Sequence, residues 1–477
     1  MPCCLFQELS MGFPKKVLPF LVQDHLENYA IMSLAAYLGP SGHSIRLVPL
    51  HKKELQRLAA QQPPLVAVSA LTPGFSKFLK AITWLRRASP RTTFLVGGQH
   101  ATFAPEIIDL PGIDLICRGE GEEALHAVVT KKPEDWADIP NILVAGEATR
   151  ARPPLSMIEE LDSLPFPERS LHASWYRRTG RFMLMATRGC QHGCRFCANG
   201  RLPSVYGRTI PRRRTRSPEN VLAEITLLEK QWKVRRYDFV DATLNQDRDW
   251  FLAFLDGYAR GSNTPFSCDV RIDSVGEVEV AALVRAGCRL VKIGLEVGDE
   301  TFRREQLGKH LPDRAIEEGC TRLRRAKIPY LLYCMYGFPG ETYAVTRSTV
   351  TFAARLAPDF SSHFLFLPLP GLALTDHAQG SGLLPGDFRE RALQGNYSGL
   401  RSILEQEGMG RICNLHKFSA LLTHHPRALR LVDLLTRLPE NRLFDLLFQG
   451  SAWLEVARRD PFFAADLLLR DLYHHRG

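Results

Sequence analysis

The stretch Thr187–Gly200, TRGCQHGCRFCANG, decides how the chain is read. It sets Cys190, Cys194 and Cys197 at a Cys-x3-Cys-x2-Cys spacing. The run before it, RFMLMATRG, reads as a strand, so the loop lies at a strand's carboxyl end, where barrel folds build active sites. Gly189 and Gly193 let the backbone wrap closely around a bound group. Three unrelated buried thiols are a poor account of this crowding. Zinc is weaker still, because it wants a fourth ligand and only His192 is close, at poor spacing within the loop. An iron–sulfur cluster explains the count: three thiolates hold three irons of a 4Fe-4S cube and leave the fourth open.

Outward from that loop, apolar runs alternate with helical patterns. YDFVDA, SCDVRID, LVKIGLEVG, PYLLYCMYGFP and FSSHFLFLPLP are five further strands, separated by helices such as PENVLAEITLLEKQW and DRAIEEGCTRLRRA. Six strand–helix units suit a partial or complete barrel. Upstream, VLPFLVQ, SIRLVPL, LVAVSAL, TTFLVGG and IDLICRG alternate with helices in the same way. Continuous branched apolar runs of this kind mark a parallel sheet covered on both faces, whose ligands bind at the carboxyl strand ends. The fold class expected is α/β: a doubly wound parallel sheet over 1–140, a proline-containing linker over 141–180, a partial (β/α)6 barrel over 181–383 and a helical region over 384–477. The apolar spacing of that last region is read as packing against the barrel rather than membrane contact. No fixed-period repeat is present.

The chain has 477 residues, 45% hydrophobic and 23% charged, with a net charge of +10. This is ordinary globular composition with room for two or three domains. No apolar run approaches the roughly 20 residues that span a bilayer. The opening MPCCLFQELSMGFPKK lacks the order of a signal peptide, which predicts a cytoplasmic chain whose cysteines stay reduced. Cys117, Cys268, Cys288, Cys320 and Cys334 read as small buried hydrophobes; Cys3 and Cys4 stay ambiguous. The basic stretch GRTIPRRRTR, from Gly207 to Arg216, reads as a solvated loop in preference to an anion or nucleic-acid contact.

The cysteine spacing after the first of six barrel strands resembles the radical S-adenosylmethionine superfamily, over about Arg181 to Gly371. Phe196 matches the aromatic residue usual between the second and third cysteines. In that family S-adenosylmethionine chelates the open iron, and its reductive cleavage yields a 5′-deoxyadenosyl radical. The resemblance places Asp241 in DFVDATLNQD near the methionine end of that cofactor, although Ala242 stands where many relatives carry a second aspartate. It places Arg271 and Asp273 of DVRID, and Glu296 of KIGLEVG, at the barrel mouth. It places the turn YGFPGET, including Gly337 and Pro339, against the adenine. Each has a plainer reading: an ion pair for Glu296, a helix cap for Asp241, a tight turn with Gly340 at positive φ and Thr342 opening a helix.

The front segments FLVGGQHATFAPE, IDLICRGEGEEAL and LDSLPFPERS resemble the cobalamin-binding subfamily, which includes cobalamin-dependent radical methyltransferases and the anaerobic magnesium-protoporphyrin ester cyclase type. Gly97 and Gly98 end a strand and allow close backbone approach to a flat ligand. Ser69 and Thr72 of SALTP offer hydroxyls, and Gly119 and Glu120 open the next helix. No Asp-x-His-x-x-Gly loop for a cobalt-ligating histidine occurs; QDHLEN, with Asp24 and His25, has the wrong spacing.

The resemblance thus implies three cofactors: a 4Fe-4S cluster, S-adenosylmethionine and cobalamin. It further implies a small-molecule substrate and an electron donor such as flavodoxin or ferredoxin, and no nucleic-acid partner. The reaction implied is methyl transfer to an unactivated carbon of a natural product or lipid, with methylcobalamin as methyl donor to a substrate radical. Cyclisation, oxidation or ring rearrangement with the same cofactors is the alternative. An RNA methylthiotransferase would carry a second cysteine cluster in the front domain, and a cobalamin carrier or light sensor has no use for the three-cysteine loop.

Overall fold

A computed structural model describes residues 17–22, 27–147, 155–207, 212–394 and 399–459. Cys3, Cys4, Asp24, His25, part of the proline-containing linker (148–154), part of the basic stretch (208–211) and the end of the helical region (460–477) lie outside the described residues. The chain divides into two compact units, Met1–Ala173 with Ser204–Thr209, and Ser174–Pro203 with Ile210–Gly477.

The first unit is built on a six-stranded sheet: β1 Val17–Val22, β2 Ser44–Pro49, β3 Leu65–Ser69, β4 Thr93–Gly97, β5 Leu115–Cys117 and β6 Ile142–Val144, in the order β2-β1-β3-β4-β5-β6. Strands β1 to β5 run parallel, as their continuous apolar runs predict. Leu65 to Val68 are all buried, so β3 is covered on both faces. Strand β6 pairs antiparallel with β5. It occupies the start of the stretch expected to be linker, so that expectation is corrected: the sheet runs on through Val144. The end of the same stretch also packs on this unit. Arg169 pairs with Glu27 at 2.6 Å, both side chains buried, and Asn28 N donates to His172 Nε2 at 3.2 Å. Removing one partner of such a pair costs about 3–5 kcal/mol.

The second unit holds β7 Arg181–Leu184, β8 Thr187–Gly189, β9 Arg213–Thr215, β10 Arg236–Phe239, β11 Phe266–Val270, β12 Cys288–Glu296, β13 Tyr330–Tyr336 and β14 Phe360–Leu365. Six of these form an all-parallel sheet in the order β14-β13-β12-β11-β10-β7, with β7 and β14 as free edges, so the barrel is open. β8 and β9 make a separate antiparallel ribbon. Connecting helices start where the sequence supplies caps: Ser217 with Pro218 behind it, Asp247, Asp299 and Thr342 each accept from a backbone N–H of the first turn.

The helix Met409–His424 packs against β13, β14 and the helix Tyr343–Leu356, with most of its side chains buried. Lys417, within it, is buried against Glu440 at 3.3 Å and Asp445 at 2.8 Å. The last described helix, Arg442–Arg459, turns Phe444 and Phe448 inward and leaves Leu443, Leu446, Leu447, Trp453 and Leu454 exposed. Much of the apolar spacing in this region therefore does not pack on the barrel, against expectation. Among the described residues no helix is long and apolar enough to cross a membrane.

Candidate functional site

The cysteine loop leaves β8 and enters the helix Ala198–Tyr206 directly after Cys197. Cys190, Cys194 and Cys197 are half-buried and in no disulfide. The loop is pinned from two sides: Arg195 N donates to Leu307 O at 2.9 Å, and Leu374 N donates to Arg195 O at 3.2 Å. Gly189 has φ +86°, and a Cβ there would collide with Arg212 O of the neighbouring ribbon strand. A Cβ on Gly193 would meet only the flexible end of Arg212 at 3.4 Å, whereas one on Gly200 would lie 2.5 Å from Cys194 O. Packing within the loop itself therefore requires glycine at Gly200 as well. Phe196 meets the ring of Phe338 edge-on at 5.8 Å, joining the loop to the turn after β13.

Burial pushes the Cys194 thiol up to about 11, against the pull of Lys309, and raises Cys197 as well. Among the described residues no three of His, Cys, Asp or Glu close around one metal position. The three thiols share a loop without converging on a point. They match an iron–sulfur cluster in kind and number, being three half-exposed thiols in no disulfide.

Asp241, Arg271, Asp273 and Glu296, all expected around the cofactor or the mouth, already have protein partners. Asp241 is fully buried below the loop: its Oδ1 accepts from Ala186 N at 3.0 Å, Thr187 N at 2.6 Å and Thr187 Oγ1 at 2.6 Å. Burial raises its carboxyl to about 6, with those donors opposing. It holds the entry to the cysteine loop chiefly through Oδ1, while Oδ2 accepts only from Ala186 N at 3.3 Å. Arg271 Nε donates to both carboxylate oxygens of Asp273 at 3.0 Å, and its guanidinium also reaches His310 O. Glu296 ends β12 at φ +63°, beyond a register shift that follows Gly294. A non-glycine residue in that region marks strain held by its surroundings. Its Oε1 accepts from Lys309 Nζ at 3.0 Å, and the same Nζ donates to Gly294 O at 2.5 Å.

The turn after β13 is tightly tied. Gly337 and Gly340 both have φ +74°, and Thr342 caps the next helix. Glu341 is buried and accepts from Phe338 N at 2.9 Å and Thr346 Oγ1 at 2.6 Å. Burial raises its carboxyl to about 7. Gln406 spans the turn, donating to Phe338 O and Glu341 O at 3.1 Å and accepting from Gly340 N at 3.0 Å. Pro339 sits within this clamped segment.

Inside the sheet, alternate residues carry charge. Asp238 accepts from Arg181 Nη2 at 2.9 Å and Ser267 Oγ at 2.7 Å. Burial opposes its ionisation, but Arg236 and Arg181 outweigh it and hold the carboxyl at about 2. Lys292 pairs with Asp269 at 2.6 Å. Lys309, Gln406 and this ionic lining escaped the sequence reading. Lys292, two and four residues before Gly294 and Glu296 in an apolar strand, was the available signal.

In the first unit, Ser69 and Gly97 end adjacent strands. Thr72 Oγ1 lies 3.0 Å from His100 Nδ1, both buried, and burial lowers that imidazole to about 4. His100 Nε2 is buried with no hydrogen-bond partner. Gly98 has φ +89°, and a Cβ there would lie 2.7 Å from Ala70 N and O, so the fold itself demands this glycine. Gly97 has room, its nearest neighbour being Cys117 Cβ at 3.5 Å. Gly119 N donates to Thr102 Oγ1 at 2.9 Å, and Glu120 Oε2 accepts from Ile158 N at 2.8 Å.

Two family models match: the B12 binding domain over 20–129 and the Radical SAM superfamily over 184–353. An uncharacterized methyltransferase of Pyrococcus horikoshii is 25% identical over 332 residues, 68% of this chain and 71% of that protein. The anaerobic magnesium-protoporphyrin IX monomethyl ester cyclase of Rubrivivax gelatinosus is 24% identical over 370 residues, 71% of this chain but 63%, under two thirds, of the cyclase. The radical S-adenosylmethionine methyltransferase TsrM of Kitasatospora setae, solved with cobalamin and a [4Fe-4S] cluster bound, aligns at TM-score 0.62 and 18% identity. The alignment covers 89% of this chain and 99% of TsrM, and it shows the fold.

Proposed function

We propose that this chain, a radical S-adenosylmethionine protein with an N-terminal B12-binding domain, is a cobalamin-dependent methyltransferase acting on an unactivated carbon of a small organic substrate. The observation that carries the reading is three free thiols on one loop at the mouth of an open parallel barrel, on a chain that also has a B12-binding sheet. The methyltransferase of Pyrococcus horikoshii supports the choice of reaction.

Cys190, Cys194 and Cys197 would hold a 4Fe-4S cluster. When bound, that cluster, S-adenosylmethionine and cobalamin supply the one-electron cleavage and the methyl group. The chain's own residues orient and enclose. Asp241 fixes the start of the cysteine loop through three donors. Lys309 and Glu296 present a cation and a carboxylate at the mouth, suited to the carboxylate and amino group of S-adenosylmethionine. The turn Gly337–Thr342 offers backbone to its adenine, held rigid by Glu341 and Gln406. Phe196 and Phe338 shield the loop from water. In the first unit, Ser69, Thr72, Gly97 and Gly119 are the strand-end groups proposed to border cobalamin. A one-electron donor such as flavodoxin or ferredoxin is the expected partner.

The test is anaerobic reconstitution with methyl-deuterated S-adenosylmethionine and a host extract. Methyl transfer predicts equal 5′-deoxyadenosine and S-adenosylhomocysteine, with label in the product. The cyclase of Rubrivivax gelatinosus favours a second reading, cyclisation or rearrangement. That reading predicts 5′-deoxyadenosine without coupled S-adenosylhomocysteine and an unlabelled product.

A further inference from the structure

We propose that the outward face of the C-terminal helices docks on an anionic lipid surface. Nine of the exposed large hydrophobic residues fall between Leu421 and Leu454: Leu421, Leu431, Leu434, Leu438, Leu443, Leu446, Leu447, Trp453 and Leu454. Only five others are exposed in the rest of the described chain: Leu71, Trp84, Leu227, Val278 and Val284. Single exposed leucines are ordinary, but nine exposed large hydrophobics within 34 residues of chain mark a region that meets something.

Their spacing is regular. On the helix Arg442–Arg459, Leu443, Leu446, Leu447, Trp453 and Leu454 fall at i, i+3, i+4, i+10 and i+11, one stripe about 16 Å long. The opposite stripe, Phe444 and Phe448, is buried on the helix Met409–His424. The helix is thus apolar on two faces, and only one is covered. Leu431 and Leu434 are likewise exposed on the helix Leu429–Leu435, and Leu438 in the link that follows it. Leu446 and Leu431 keep 64% and 61% of their surface in solvent, so they add nothing to the core.

Charge identifies the occupant. Arg427, Arg430, Arg437, Arg442 and Arg458 are exposed on the same helices and their links. Every carboxylate between Met409 and Arg458 is partly buried and paired. Asp433 binds Arg347 at 3.0 Å and Glu440 binds Lys417 at 3.3 Å; Asp445 binds Lys417 at 2.8 Å and Glu455 binds His424 at 2.6 Å. The outer face therefore carries leucine, tryptophan and arginine with no exposed acid. Leucine and tryptophan flanked by cations is the composition of a helix lying in an anionic membrane interface. A second copy is a poor occupant. A two-fold contact would set these arginines against their own copies with no acid between them.

The test uses the full chain and vesicles of phosphatidylcholine, alone or with about 30% phosphatidylglycerol, in flotation assays. The wild type is expected to float with the anionic vesicles, less so with the neutral ones. Its binding should weaken from about 0.1 M to about 1 M salt, as the Debye length shrinks from about 10 to about 3 Å. L443E/L447E should lower binding roughly tenfold or more, and R430E/R437E should remove the preference for anionic lipid. L431E/L434E repeats the apolar test on the other helix if the first pair misfolds. Melting temperature and 5′-deoxyadenosine formation should be unchanged in all three. Failure of the wild type to float, or equal binding to both vesicle types at all salt concentrations, would overturn the proposal. So would self-association, abolished by L443E/L447E, in a protein that ignores vesicles; that result assigns the face to a second copy.

Discussion

Gly294→Ala probes the proposed S-adenosylmethionine site without touching the cluster loop. A Cβ at this position would collide with Glu296 Oε1 and lie 2.8 Å from Lys309 Nζ. Gly294 is not at positive φ, so the backbone accepts alanine. The atoms in the way are ends of flexible side chains, so the stability cost should fall at the low end of overpacking, about 1 kcal/mol. The pair must move apart, however, and whichever partner contacts the cofactor loses its position. One hydrogen bond to a charged group contributes about 1.5–3 kcal/mol. At about 1.4 kcal/mol per tenfold, S-adenosylmethionine affinity should fall about 10- to 150-fold. Equilibrium dialysis of the reconstituted protein under anaerobic conditions measures this, with the melting temperature and iron content as controls. A G294A protein that keeps its iron, melts within a few degrees of wild type and binds S-adenosylmethionine with unchanged affinity would refute the role given to Glu296 and Lys309.

Replacing Cys190, Cys194 and Cys197 together with alanine should abolish the brown absorbance and 5′-deoxyadenosine formation while leaving the circular dichroism unchanged; retention of about four irons per chain would sink the cluster assignment. G98A should destabilise the first unit by about 2 kcal/mol or more, since alanine there is strained at φ +89° and meets Ala70 backbone, and cobalamin retention should fall with folding. G97A, which has room, should fold normally; reduced cobalamin retention in this variant alone reports contact with the ligand. Glu341 has its folded pKa raised from 4.5 to about 7, so the stability it contributes is complete below pH 4.5 and lost as pH rises through 7. The change is about 3 kcal/mol, and Asp241, raised from 3.8 to about 6, acts in the same direction. Resistance to urea should therefore fall from pH 4.5 to 7 by less in E341Q than in wild type; identical pH profiles would count against this account.

The first sheet was legible because its strands are buried on both faces and read as unbroken apolar runs, as in Leu65–Ser69, and the second because buried apolar residues recur at every other position, as in Val291, Ile293 and Leu295 of β12, between helical patterns. The cysteine loop was legible because its signal is local. Strand β6 was not: three residues of antiparallel edge among prolines carry no periodicity. The need for glycine at Gly200 was not legible, because sequence shows where glycines are, not which one faces a carbonyl. The three donors that Asp241 serves were not legible, because a buried carboxylate held by backbone and hydroxyl groups is written with the same letter as one that faces a cofactor. Lys309 reaches Glu296 from 13 residues away across an intervening helix, a separation with no pattern to detect.

The clamp that Gln406 places on the turn after β13 bears on how the protein is made. The turn and its clamp are 66 residues apart in the chain. At about 5–20 residues per second, roughly 3–13 seconds separate synthesis of the turn from synthesis of the residue that secures it. The thiols at 190–197 emerge earlier still. During that interval the nascent barrel has its cysteine loop but lacks the strap that holds the neighbouring turn and the helix Met409–His424, whose Met409 lies against Gly337. A cluster inserted then would meet oxygen and solvent on an unfinished side. Maturation is thus expected to follow release of the whole chain, and a ribosome stalled before Gln406 should display a chain that cannot retain iron.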